Sequence, residues 1–434
     1  MQSKSLISII TLTLILIFTM GAVAQDEEVE ITVASDTVGA SYELAQEAAK
    51  MYEKEHPNVD VKILDTPRLA NDRLNLYLQY FEQKSSKVDV YQIDVIWPGD
   101  LASHFVDLKK YGAEEYTDQH FQSLIKNNTV NDKLVAMPFQ IGAGLLYYRT
   151  DLLNKYDLEP PTTWKELEHA AKTIMEGERE EGNQDFWGYV WQGNNYEGLT
   201  CNALEWFYSS NGGRFISRDK KVTVDNAEAK RMLEMASDWV GNISPSGVVS
   251  FAEEDARNIW QSGNAAFMRN WPYAYSASAS DESPIKGKFA ISPLPKGGEN
   301  GVSAATAGGW QLGVSKYSEH PEIAADVVFF LTSYKVQKLR AVEGAFNPTI
   351  KDLYEDEDVL KAVPIFEDLY DVFLGAIPRP STETAPNYTE VSKEVSDAVH
   401  SVLTGEEEAA AALKYLEIDL QEITGFDAGE PQEY

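Results

Sequence analysis

The chain is predicted to adopt an α/β fold, and three observations lead there. Short apolar stretches alternating with period two are interleaved with segments whose apolar residues recur every three to four positions, the rhythm of strands and helices in layers. Apolar residues make up 43% of the chain and aromatics 11%, enough to fill full-sized cores without covalent staples. The 434 residues hold no low-complexity linker and no internal repeat. At ~100–200 residues per domain that length predicts two or three domains. The missing linker points to domains crossed more than once by the backbone.

The first segment, Met1 to Ala24, has one cation (Lys4), an apolar run from Leu6 to Met20, and the small-residue site Ala22-Val23-Ala24. That order is a cleaved secretory leader. The rival reading, a retained anchor, is opposed by a run shorter than the ~20 residues needed to span a bilayer. Removing 24 residues leaves 410 in the mature chain.

Val29-Glu30-Ile31-Thr32-Val33 alternates as a first strand. Leu44, Ala48 and Met51/Tyr52 mark a helix that His56-Pro57 ends, because proline cannot continue it. Val59, Val61 and Ile63 form a second strand, residues 70–83 a helix, and Val88 to Trp97 a third strand. This succession predicts a mostly parallel sheet. A further strand spans Leu134 to Phe139, followed by Gly142-Ala143-Gly144 and the run Leu145 to Tyr148. Thr163 and Glu166 form a capping box for a helix through Met175. Asp225 and Glu228 open another, with Met232, Leu233, Ala236 and Trp239 on one face and Gly241 as its stop. The C-terminal third reads as helical, with Val391, Val395, Val399 and Val402 on one face and Ala409, Leu413, Leu416 and Leu420 on the next.

The net charge of −32, from 69 acids and 37 bases, disfavours nucleic acid and anionic membranes as partners. The acids are spread along the chain and read as a solvated surface suited to salty surroundings, where repulsion is screened. The single cysteine, Cys201, cannot form an internal disulfide and is either a buried, inert thiol or a free reactive one. Hydrolase elbows, phosphate loops and zinc-protease motifs are missing, and the six histidines lack metal-ligand spacing. No cofactor and no metal are expected.

Three features carry chemistry. Asp94 lies near the carboxyl end of the apolar run Val90 to Trp97, where open α/β sheets collect ligands. It either accepts from a ligand or caps the turn Trp97-Pro98-Gly99-Asp100. Aromatics gather in Gly- and Pro-marked segments: Trp187, Trp191 and Tyr196; Trp271-Pro272-Tyr273; Gly308-Gly309-Trp310. A flat indole suits the C–H face of a sugar ring, with polar groups at its rim. Core packing is the competing reading. Trp187 reads as core, while Trp271 and Trp310 read as loop-borne contacts. Arg379, held between Pro378 and Pro380, presents its guanidinium rigidly to a sugar hydroxyl, or else to a neighbouring acid.

Several segments together carry a family resemblance. They are Lys84-Ser85-Ser86 with Asp94-Val95-Ile96-Trp97, the run Gly144 to Leu153, Phe186 to Gly193 with Tyr196 to Leu199, Gly263 to Phe267 with Trp271 to Ala274, Gly308-Gly309-Trp310, and Ala376 to Pro380. The chain resembles the solute-binding proteins of bacterial and archaeal ABC sugar importers, most of all the trehalose/maltose-binding branch. The resemblance implies a periplasmic binding protein-like fold of two α/β lobes, with a hinge and a central cleft. The expected lobes are residues 25–139 plus 296–332 and residues 140–295 plus 333–434. It implies ligand contacts at Asp94, Trp271, Tyr273, Gly309, Trp310, Arg379 and Arg73, with Gln140 and Ser41 at further positions of that kind. Two places depart from the pattern. Gln140 and Gly142 stand where the archaeal receptors carry Tyr and Asp, and Ser41 replaces an acid. The stretch Pro67-Arg68 to Asn71-Asp72-Arg73 is similar to bacterial trehalose receptors. The implied protein is a periplasmic, monomeric, non-enzymatic receptor that hands an α-linked disaccharide to a membrane permease. Competing classes are a secreted carbohydrate-active enzyme, which needs two carboxyls ~5–10 Å apart across a glycosidic bond, and a receptor for another sugar, a glucosylated osmolyte or a peptide.

Overall fold

The computed structural model describes residues 28–431, so the expected leader lies outside the described residues. Eleven strands appear in chain order. The first six are β1 (Val29–Ser35), β2 (Val59–Asp65), β3 (Val90–Asp94), β4 (Thr129–Val130), β5 (Lys133–Leu134) and β6 (Met137–Ala143). The others are β7 (Leu145–Arg149), β8 (Trp187–Val190), β9 (Ala265–Asn270), β10 (Phe289–Ser292) and β11 (Ala307–Val314). They form one sheet in the order β2-β1-β3-β11-β6, a second in the order β10-β7-β9-β8, and the small β4-β5 hairpin. Each large sheet is the floor of one lobe.

The expected parallel sheet holds for β1, β2 and β3, which pair in parallel. It fails at β11, which runs antiparallel between β3 and β6, and in the second sheet, where only β8 and β9 are parallel. The reason is topological. β11 re-enters the first sheet from the other lobe, so it arrives pointing the opposite way. β3 is buried along its whole length, as a strand covered on both faces must be. Val90 faces one apolar cluster with Ile31 and Val314, while Tyr91 and Ile93 face another with Tyr77 and Trp97.

The chain passes between the lobes at Gly144 and again before β11. A Cβ on Gly144 would lie 2.1 Å from a Glu205 oxygen, so only glycine lets the crossing pass the buried Arg269–Glu205 pair. In residues 296–302 the Lys296 amide donates to the Thr162 carbonyl, and those of Gly297 and Val302 to the Ser209 carbonyl. Helix Tyr334–Gly344 packs on helix Ser41–Glu55 beside the first sheet.

Local signals explain several helix starts. The Thr163–Glu166 capping box forms in both directions, at 3.2 and 3.1 Å. The next expected cap moves by one residue. Asn226, not Asp225, accepts from the Ala229 amide at 2.9 Å, because its own amide is tied to Gly212 and Thr223 carbonyls. Helix Tyr388–Leu403 buries Val391, Val395, Val399 and Val402 against helices Glu197–Ser209 and Ala227–Trp239. Burial of that stripe contributes about 1.5–3 kcal/mol per side chain relative to exposure.

Candidate ligand-binding cleft

A cavity partly open to solvent is lined from both lobes. Its first-lobe wall follows from strand chemistry. Asp36 leaves β1, Arg68 follows β2, and Asp94 ends β3, so three polar side chains collect outside the carboxyl ends of parallel strands. Gln140 and Ile141 of β6 and Gly308-Gly309-Trp310 of β11 complete that wall. The second lobe contributes Trp271-Pro272-Tyr273 beyond β9, Glu253, and the first turn of helix Glu197–Ser209.

Of the two roles open to Asp94 in the sequence, the structure shows the cap, with an arginine as a further partner. One carboxylate oxygen caps the turn, accepting from the Ile96 amide at 3.3 Å, and the same oxygen accepts from Arg379 at 2.9 Å. Arg379 also donates to Glu197 at 2.7 Å and to the Ala307 carbonyl at 3.3 Å. Of the two readings of Arg379 the structure shows the neighbouring acid, twice over, at a residue that also lines the cavity, and the guanidinium ties β3 to the second lobe. Burial works against its charge, but the Asp94 and Glu197 carboxylates outweigh that and hold it protonated. Glu197 accepts further from Tyr388 at 2.7 Å and Ser392 at 2.6 Å, and burial pushes its carboxyl above the ordinary range against the pull of Arg379.

The two indoles differ in their support. Trp271 follows β9 in a loop, as expected, with Arg269 at 4.1 Å over its ring and Nε1 3.4 Å from Glu253. Trp310 is not loop-borne, because β11 carries it in register with Asp94 and Gln140. Its neighbour Gly309 has φ +144°, and a Cβ there would meet the Gln140 carbonyl at 2.4 Å. The pairing of β11 with β6 shifts register between Trp310 and Gln311, as at a β-bulge. Tyr273 lines the cavity with its hydroxyl donating to Glu254 at 2.7 Å.

Asp94, Gln140, Trp271, Tyr273, Gly309, Trp310 and Arg379 thus meet at one cavity, whereas Arg73 and Ser41 do not line it. Arg73 is fully buried behind Trp310, 4.3 Å over its ring, and donates to the Pro67 carbonyl. Ser41 is buried at the start of its helix. Trp187 is half-buried on β8 with Arg179 4.4 Å over its ring. Cys201 is buried at the cavity wall, and burial pushes its thiol up, against the thiolate form. Asp36, Glu197, Glu253, Phe346 and Asn347 line the cavity without having been singled out in the sequence. Among 69 acids no single carboxylate stood out, although Asp36 shares with Asp94 the signal of an acid at a strand's carboxyl end. Among the described residues no cluster of His, Cys, Asp and Glu could hold a metal, and no helix is long and apolar enough to cross a membrane.

The sequence profile of bacterial extracellular solute-binding proteins matches residues 34–338. The chain belongs to that family. A relative of this solute-binding protein is the probable ABC transporter-binding protein of Deinococcus radiodurans, 48% identical over 93% of this chain and 96% of the relative. Maltose-bound MalE3 of T. maritima superposes with a TM-score of 0.87 at 40% identity, over 91% of this chain and all of that one. The GacH receptor of Streptomyces glaucescens shares the fold, with a TM-score of 0.81 at 24% identity over 92% and 99% of the two chains. The two-lobed periplasmic binding protein fold is therefore the fold of this chain.

Proposed function

We propose that this solute-binding protein is the receptor of an ABC importer for an α-linked disaccharide, trehalose or maltose, and that it releases the sugar chemically unchanged. The observation that carries the reading is the pairing of Trp271 and Trp310 with a rim of Asp94, Gln140, Glu253 and Arg379 around one cavity. Indole faces suit sugar C–H faces, and charged acceptors and donors suit ring hydroxyls. The 40% identity to a maltose-bound protein supports the same ligand class.

In this reading the lobes close by hinge motion on the sugar. The contacts across the cleft mouth fit a closed arrangement, with Asn71 accepting from the Glu197 amide at 3.0 Å and Arg68 lying 3.9 Å from Asp255. We place the lobe boundaries near Ala143 and Thr306, and assign helix Tyr334–Gly344 to the first lobe on its packing. Export by the N-terminal leader, action in the periplasm as a monomer, and docking on permease subunits belong to the same proposal. No catalytic role enters it.

A calorimetric and thermal-shift series with trehalose, maltose, sucrose, glucose, glucosylglycerol and a peptide tests it. Trehalose or maltose should raise the melting temperature by mass action, by about 2.7 kcal/mol of stability at a hundredfold excess over Kd. The sugar should be recovered intact. No response to either disaccharide, or hydrolysis of one, would overturn the reading.

A further inference from the structure

Resting on that reading, we infer that Arg340 is a positioning residue that turns Gln140 into a donor aimed at the bound sugar. Arg340 is buried, 1% exposed, on helix Tyr334–Gly344, and it does not line the cavity. Its guanidinium lies 4.0 Å from the Phe139 ring and 4.4 Å from the Phe346 ring. One hydrogen bond leaves it, from Nη2 to Gln140 Oε1 at 2.5 Å, while Nε and Nη1 have no hydrogen-bond partner.

That arrangement does not serve stability well. A buried guanidinium with two unmatched edges and no carboxylate within ion-pair distance keeps a desolvation cost that ring stacking only partly offsets. Its one directed contact shows what it does. Arginine is donor-only, so the Gln140 atom facing it must be the carbonyl oxygen, and the amide orientation is settled by chemistry. Gln140 is half-exposed and lines the cavity, and its Nε2 makes no hydrogen bond to a described residue. Arg340 therefore engages one lone pair of the Gln140 carbonyl and fixes the amide so that its N–H donors are on the side away from the guanidinium. The site then offers an N–H donor there to a ring, glycosidic or hydroxyl oxygen. Four other lining residues, Asp36, Asp94, Glu197 and Glu253, carry carboxyl groups and offer acceptors instead. Beside Gln140, the Ile141 amide donates at 3.1 Å to the carbonyl of Asn347, whose buried amide side chain also lacks a partner. The wall formed by β6 and the segment after Arg340 is thus an under-satisfied polar edge on the ligand side.

The test uses the full-length mature protein, the disaccharide that binds the wild type, calorimetric affinity and thermal unfolding. Gln140→Glu places a carboxylate against Arg340, forming an ion pair, but abolishes the donor. Its melting temperature should hold or rise while affinity falls about ten-fold or more. Arg340→Met removes the buried charge but keeps much of its bulk. Its melting temperature should hold or rise, while affinity falls several-fold because the Gln140 amide is free to rotate. A purely structural Arg340 would instead lose stability and keep its affinity. Wild-type affinity in Gln140→Glu overturns the inference whether or not Arg340→Met folds. A wild type that binds no sugar overturns the functional reading, which is a separate and distinguishable failure.

Discussion

In the proposed reading recognition depends most on Trp310, and its surroundings say what truncation does. The indole lies under Arg73 and 5.8 Å from Trp97 in an edge contact, yet it remains half-exposed at the cavity. Trp310→Ala should therefore keep a cooperative unfolding transition and weaken disaccharide binding about ten-fold, roughly 1.4 kcal/mol, by calorimetry. Unchanged affinity would show that the ring faces no ligand. Asp94 and Arg379 were legible as chemistry-bearing residues because each breaks a local pattern, an acid in an apolar strand and a cation between prolines. Arg340, Glu253 and Asn347 break none. A basic residue on a helix and an acid opening one are ordinary surface features until a partner element covers them.

Elements decide the aim of those side chains. β11 places Gly309 beside Gln140 so closely that a methyl group has nowhere to go, and its φ of +144° is strained for any other residue. Gly309→Ala should cost about 2–4 kcal/mol in urea unfolding, from backbone strain and overpacking together, and should abolish sugar binding by shifting Trp310. A variant that melts with the wild type would contradict that packing. A second junction is pH-sensitive. His120 is 1% exposed, its Nδ1 lies 2.7 Å from Thr349 Oγ1, and Thr349 reaches Gln337 and the Pro138 carbonyl of β6. Burial lowers the imidazole from 6.5 to about 4. Between those values the unfolded chain binds a proton that the folded one refuses. The stabilisation is complete above pH 6.5 and is lost as pH falls toward about 4. Urea titrations should show the wild type losing on the order of 2–3 kcal/mol over that window relative to His120→Asn. Parallel pH profiles would exclude His120 as the cause.

Over the whole molecule, charge and connectivity matter most. A net charge of −32 means self-repulsion in the folded state that salt relieves. The melting temperature should rise as sodium chloride is raised from about 0.02 M to about 0.5 M, where the screening length falls well below ~10 Å. A flat or falling trend would mean that ion pairs such as Arg379–Asp94 outweigh the general repulsion. Connectivity sets the cleft. The chain crosses between lobes at Gly144 and before β11, and the Asp94–Arg379 contact joins residues 285 apart in sequence.

The sequence by itself determined the strand and helix succession, the Thr163 cap, the buried valine stripe of helix Tyr388–Leu403, and the two-lobe family to which the chain belongs. Each of these is written in spacings of two to four residues, or in motifs read within one segment. Only the tertiary structure decided that β11 returns antiparallel into the first sheet, that Trp310 rides a strand rather than a loop, and that Arg73 and Ser41 stand behind the cavity. The same holds for Arg340, which reaches the site only through Gln140. These facts rest on which distant segments are brought side by side, and a backbone reversal or a buried cation leaves no local period in the chain to announce it.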